Sequence, residues 1–355
     1  RSALMTRATT SSAKDLLHLN GRCSVTTDVI RTVKSNFTAM RNFFASFLVA
    51  ALALVSCSST EYIVKDEDKG QINPKTTSLL ELCDAVQEKW EEDLTVSRIY
   101  VVAHRGNTVE SFKQGIPDNS IPNILHAIEA GADMVEIDVR TTKDGQLVLM
   151  HNETVNETTT GSGAVSSLTL EQIKSFDMVR NGKVYKDEQN NVAKVPTLLE
   201  ALKVTKDKIY VNLDLSGKNN VPSKVLEAIY EAGVEDQVML FGGGDIAEYQ
   251  KLNPLVAVHP YIKSVEATSS YSGMIGAKLF QYGNAVYLNN TIPEFGTKMH
   301  VKGYLSYSNL LDQWDNALRN GDYTPLDKFI ASGSDFVQTD VAELVINYLD
   351  RKGLR

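Results

Sequence analysis

From Val101 to Gly106 the chain reads VVAHRG, and from Met134 to His151 it reads MVEIDVRTTKDGQLVLMH. Val101, Val102 and Ala103 form a short apolar run that stops at His104-Arg105-Gly106, the pattern of a buried strand opening into a loop. Side chains alternate along a strand, so Glu136 and Asp138 share one face while Val135, Ile137 and Val139 share the other. Two carboxylates on a buried face are costly unless a cation neutralises them. Lys143-Asp144-Gly145 then reads as a tight hairpin turn, and Leu147 to Met150 returns alongside to deliver His151 near the two acids. The set so gathered suits metal-assisted chemistry at a phosphate diester. Carboxylates hold a bivalent cation, imidazoles move protons and a guanidinium grips the phosphate.

Beyond this stretch, strand and helix patterns alternate. Strands are expected near 98–103, 134–139, 208–215, 237–241, 255–259, 278–281, 299–307 and 335–338, with helices over 121–131, 197–205, 221–232, 311–320 and 340–350. Residues 260–300 show little clear period. Eight strands alternating with helices point to an α/β fold, a closed (β/α)8 TIM barrel over residues 98–352. A leading helix within 77–97 starts at a Ser78 cap and carries Leu79, Leu82, Cys83, Val86 and Trp90 on one stripe.

In such barrels the reacting groups come from the C-terminal ends of strands and the loops that follow. His104 and Arg105 end the first strand, Glu136 and Asp138 the second, and His151 lies on the loop after it. Asp214 ends the third strand and is the candidate third metal ligand. His259 and His300 stand alone and read as ordinary packed or surface residues. Phe241-Gly242-Gly243-Gly244-Asp245 reads either as a phosphate cradle or as a strand-to-helix turn capped by Asp245. Asp340 suits a helix cap, while Tyr304, Tyr307 and Trp314 either shape a pocket or simply pack.

Composition narrows the function classes. The chain has 355 residues, 43% of them hydrophobic, enough for one large core. Net charge is −8, and residues 58–355 carry 29 basic against 42 acidic side chains, a poor basis for non-specific nucleic-acid binding. Met40-Arg41-Asn42 opens an apolar run, Phe43 to Val55, that ends in Leu54-Val55-Ser56-Cys57. A basic start, a short apolar core and a small residue before the cut are signal-peptide features, and the run is too short to span a membrane. Leu-Val-Ser-Cys resembles the lipobox of bacterial lipoproteins, which makes Cys57 the lipid-bearing first residue of the processed chain and places it in the cell envelope. Residues 1–39 read as sequence upstream of an initiator at Met40, and 58–76 as a polar tether. In the processed chain Cys83 is the one free thiol, reading as buried and structural, and no internal disulfide forms.

The motifs together resemble the glycerophosphodiester phosphodiesterase family. That family's pattern of His-Arg-Gly, Pro-Glu-Asn-Thr/Ser, Glu-x-Asp and a histidine after a hairpin stands here as His104-Arg105-Gly106, Pro117-Asp118-Asn119-Ser120, Glu136-Ile137-Asp138 and His151. It continues through Val195 to Glu200, Val211 to Leu215 and Phe336 to Asp340. Asp118 shortens the usual Glu, Asn152 replaces a common Asp, and Ser216 stands where a Lys often follows the third strand's acid, with Lys218 two residues beyond as a candidate for the missing cation. The resemblance implies hydrolysis of glycerophosphodiesters to glycerol phosphate and an alcohol. It implies catalytic His104 and His151, substrate-binding Arg105, and one Mg2+ or Ca2+ on Glu136, Asp138 and Asp214. Two alternatives stand beside it: a phospholipase D-like lyase that stops at a cyclic phosphate, and a non-catalytic lipoprotein that binds phosphodiesters.

Overall fold

The computed structural model describes residues 76–242, 246–282 and 293–355. The signal-like run, Cys57, residues 58–75 of the tether and residues 243–245 lie outside the described residues. The strands are β1 (Tyr100–His104), β2 (Met134–Thr141), β3 (Leu147–Leu149), β4 (Val179–Arg180), β5 (Lys183–Val184), β6 (Tyr210–Asp214), β7 (Val238–Gly242), β8 (Ala257–Ile262), β9 (Leu279–Tyr282), β10 (Leu305–Leu310) and β11 (Phe336–Thr339). Helices are α1 (Leu79–Asp93), α2 (Val109–Gln114), α3 (Ile121–Glu129), α4 (Leu170–Ser175), α5 (Leu198–Thr205) and α6 (Pro222–Ala232). They continue as α7 (Ile246–Leu252), α8 (Phe295–Val301), α9 (Gln313–Arg319), α10 (Thr324–Ala331) and α11 (Ala342–Lys352). Strands β1, β2 and β6 to β11 pair in parallel, and β1 pairs with both β2 and β11, so the sheet closes into an eight-stranded barrel.

Strand alternation sorts the side chains into two cores. Val101, Val135, Ile137, Val211, Leu213 and Leu240 face outward into the layer beneath the helices. The opposite parity faces the barrel axis, where Tyr100, Met134, Tyr210, Met239, Leu279 and Phe336 fill the end at which the strands begin. That apolar end is plugged by α1, whose Leu79, Leu82 and Cys83 join the same cluster. Ser78 and Glu81 cap α1 reciprocally, satisfying two otherwise orphaned backbone donors. Further along the barrel interior the fillers turn polar, to His104, Glu136, Asp138, Asn212 and Asp214.

The hairpin forms as read: β3 runs antiparallel to β2, and Gly145 takes φ +76° in the turn. Between Met150 and Val195 the chain builds a small insertion, with the β4–β5 ribbon and its own core of Val155, Val165, Ile173 and Met178. One strand boundary needs correction. Residues 299–307 are not a single strand; α8 occupies Phe295–Val301, Gly303 turns at φ +80°, and β10 begins at Leu305. Phe295 and Met299, four apart, form the buried face of that helix, and a short apolar run does not distinguish the two periods.

Candidate active site

The sequence ends β1 with His104-Arg105-Gly106, and the backbone shows why those residue types stand there. Arg105 and Gly106 both adopt left-handed backbone, φ +52° and +80°. A Cβ on Gly106 would lie 2.9 Å from the Asn123 carbonyl carbon, so the close approach of α3 excludes any larger residue. The tight turn aims the Arg105 backbone N–H at Glu136 Oε2, 3.1 Å away. Pro117 to Ser120 has two structural tasks. Ser120 caps α3 through the Asn123 amide, and Asn119 clasps Asp138. Asn119 Nδ2 donates to Asp138 Oδ2 at 2.8 Å while its Oδ1 accepts from the Asp138 backbone at 3.0 Å.

On the rim, ligand oxygens of Glu136, Asp138 and Asp214 lie within 4.8 Å of one another. They line a cavity of about 270 Å³ together with His104, Arg105 and His151. All six expected site residues are therefore brought together. Hard oxygen donors at this spacing fit a Mg2+ or Ca2+ ion. Burial and the neighbouring Asp138 charge push Glu136 well up from the usual carboxylate range, which His104 and Arg105 only partly offset. Burial also pushes Asp138 up, but Lys218 and Arg105 outweigh it and hold that carboxyl low. Arg105 reaches Asp138 at 3.3 Å through Nε and Asp118 at 3.4 Å through Nη1. Asp118, the shortened acid, is itself held at 2.8 Å by Arg180 from the insertion, whose guanidinium lies over the Phe112 ring.

The two histidines differ in setting. His104 Nδ1 lies 2.8 Å from Asp340 Oδ1. Burial pulls this imidazole down, yet the Asp340 hydrogen bond and charge, with Glu136, raise it to about 9. His104 is thus the imidazolium at neutral pH. Asp340 remains ionised because the hydrogen bonds from His104 and Asn107 outweigh its burial. His151 is exposed, and its Nδ1 lies 2.7 Å from Asn152 Oδ1. Asn152 donates its amide to Glu157 at 2.7 Å, which turns Oδ1 toward the ring and leaves His151 Nδ1 as the donor. With Nδ1 so engaged, Nε2 is the ring nitrogen left to exchange a proton. The Asn at 152 fixes this tautomer without adding a second charge.

Three functional residues lie outside the six site residues assigned from the sequence. Asp340 is not a helix cap; α11 begins at Ala342, the cap position is Val341, and the carboxylate turns to His104. Lys218 reaches Asp138 Oδ1 at 3.0 Å and Asp214 Oδ2 at 2.6 Å, putting an ammonium where Ser216 removed the expected one. Asn119 is part of the motif, but its clasp on Asp138 is not visible without the fold. Other candidates sort as packing. His259 is fully buried between Phe241 and Tyr307, and burial alone depresses it to about 3, so it is neutral. His300 stacks on Trp90 and sits 2.9 Å from buried Asp335, tying α8 to α1. Tyr307 lies beneath the cavity, bonded to Asn212 and Gln338, and Tyr304 and Trp314 pack against the outer core. Phe241 lines the cavity, while Gly243 to Asp245 lie outside the described residues. Cys83 is buried.

The class of protein that this barrel and this rim define is a (β/α)8-barrel phosphodiesterase. Residues 104–242 match the model of the glycerophosphoryl diester phosphodiesterase family. A glycerophosphodiester phosphodiesterase of Caldanaerobacter subterraneus subsp. tengcongensis is 29% identical over 261 residues, spanning 71% of this chain and 98% of that protein. One from Bacillus altitudinis is 30% identical over 196 residues, 50% of this chain and 76% of that protein. The crystal structure of a glycerophosphoryl diester phosphodiesterase from Parabacteroides distasonis superposes with a TM-score of 0.58 at 22% identity, covering 78% of this chain and 93% of that one. The chain belongs to the glycerophosphoryl diester phosphodiesterase family.

Proposed function

We propose that this chain hydrolyses glycerophosphodiesters to glycerol phosphate and an alcohol, with one divalent cation held by Glu136, Asp138 and Asp214. The observation that carries the reading is the three-carboxylate cluster, set on one barrel rim beside a guanidinium and two imidazoles. When bound, Mg2+ or Ca2+ supplies Lewis-acid polarisation of the phosphate and lowers the pKa of the attacking hydroxyl or water. Arg105 holds non-bridging oxygens. His151 takes the nucleophile's proton at Nε2. His104 donates its proton to the leaving alkoxide, and Asp340 keeps it charged until that moment.

Product analysis on glycerophosphocholine, with and without chelator, tests the proposal. Glycerol phosphate and choline that appear only without chelator support it. Accumulating cyclic phosphate would assign the lyase alternative, and cation binding without turnover the binding protein.

The dyad carries a pH prediction. An acid whose pKa is raised to about 9 is present below that pH and lost above it, so turnover should fall as pH rises through that value. Asp340→Asn removes the charge that raises it and should move the falling limb to lower pH. A pH–rate profile with the limb unmoved would remove His104 from the acid's role.

Membrane anchoring through Cys57 is a second part of the proposal, supported by the Leu54 to Cys57 pattern. No helix among the described residues is long and apolar enough to cross a membrane. Cys57→Ala is expected to accumulate as an unlipidated precursor, read by intact mass and fractionation in the native host. Wild-type protein that leaves the membranes with the soluble fraction would count against the anchor.

A further inference from the structure

We propose that Lys218 is a resident counter-ion of the carboxylate cluster: it holds Asp138 and Asp214 together in the cation-free protein and releases them when a divalent cation binds. The inference rests on the cation reading above. Lys218 is a built feature of the rim, since the residue is 6% exposed, rare for a lysine without a fixed partner. Its ammonium bridges Asp138 Oδ1 and Asp214 Oδ2. The other oxygen of each acid is engaged too. Asp138 Oδ2 accepts from Asn119 at 2.8 Å, and Asp214 Oδ1 accepts from the Ser216 backbone at 2.8 Å. A cation that takes one oxygen from each acid must therefore share or displace an existing partner.

The partners are not equally displaceable. Asn119 grips both the side chain and the backbone of Asp138, and the Ser216 donor is main chain two residues from its acceptor. Lys218 instead brings a single ammonium on a flexible four-carbon stem. Its loop is bent by Gly217 and Asn219, with left-handed φ of +65° and +53°, and is pinned behind it by Asn220 to the Val139 carbonyl at 2.7 Å. The loop backbone can stay in place while the ammonium leaves. Like charges at this range repel, so a bound divalent ion and the ammonium compete for the same two acids.

The test uses the full chain, stripped with chelator and titrated calorimetrically with MgCl2 or CaCl2. Lys218→Gln and Lys218→Met are expected to bind the ion about tenfold or more tightly than wild type, because a competing positive charge is gone. Both should also melt at lower temperature in chelator and gain more from added ion. Wild type offers a measurement independent of any variant. Reductive methylation followed by peptide mass spectrometry should find Lys218 protected in chelator and several times more reactive in saturating Ca2+. Equal or weaker binding in both variants, or equal protection with and without Ca2+, overturns the inference. Saturable binding that ignores Lys218 would defeat this inference alone, whereas no saturable binding to wild type would defeat the cation reading beneath it.

Discussion

Glu136→Gln is expected to lose cation binding and to lower turnover on the order of a thousandfold, the scale of several kcal/mol of Lewis-acid stabilisation. The substitution preserves shape, so the variant should melt as cooperatively as wild type. Glu136 is the carboxylate to remove because it lacks the tight cationic partner that each of its neighbours has. Lys218 touches Asp138 and Asp214, whereas the nearest basic side-chain atom to Glu136 is His104 Nε2 at 3.9 Å. Burial and the adjacent acids therefore raise Glu136, and in the cation-free protein a proton competes with the ion there. One sign follows: wild-type affinity should strengthen as pH rises and Glu136 gives up its proton. Calorimetry on wild type at several pH values checks it, and unchanged cation stoichiometry in Glu136→Gln would refute the ligand assignment.

Replacing either histidine by alanine is expected to cost about a hundred- to ten-thousandfold in turnover, the usual yield of a positioned acid or base. Cation binding should survive in both variants. The two differ in what rescues them. In the proposed mechanism His104, charged through Asp340, protonates the leaving alkoxide, so His104→Ala should recover substantially on a diester with a nitrophenol leaving group, which needs little protonation. In the same mechanism His151 acts on the nucleophile through Nε2, so His151→Ala should stay slow on both substrates. The reverse pattern would exchange the roles. Full activity of either variant on a natural glycerophosphodiester would end the two-histidine mechanism.

How much of this was legible depends on the reach of each interaction. The β2–β3 hairpin could be read residue by residue, because alternation, turn chemistry and the position of His151 are all local. Glu136, Asp138 and Asp214 were found for a related reason: parallel strands in register align their C-terminal ends, and Asp138 pairs directly opposite Asp214. Asp340 was left between the family's last strand motif and a helix cap because Thr-Asp before a helix has the local look of a cap, while its true partner is 236 residues away. Lys218 was read as a candidate for the cation missing at Ser216, but its placement on the two acids was not legible. Two left-handed residues around it bring the side chain back over the acids, and a left-handed Asn219 leaves little trace in sequence. Helix α8 was lost to a period too short to resolve. The insertion gave no signal because its elements are two to six residues long and stabilised mostly by their own small core.

The pairing of His104 with Asp340 also spans the seam of the barrel, since β1 and β11 are the first and last strands of the sheet and lie side by side. As the chain leaves the ribosome, the whole carboxylate cluster exists once residue 214 has emerged, but the partner that keeps His104 charged arrives 126 positions later. A nascent or nicked barrel lacking its last strand would hold the acids without a charged imidazole to serve them. In the proposed mechanism, proton donation at this site is thus a property of ring closure rather than of any one segment, and the enzyme would mature chemically only when its two ends meet.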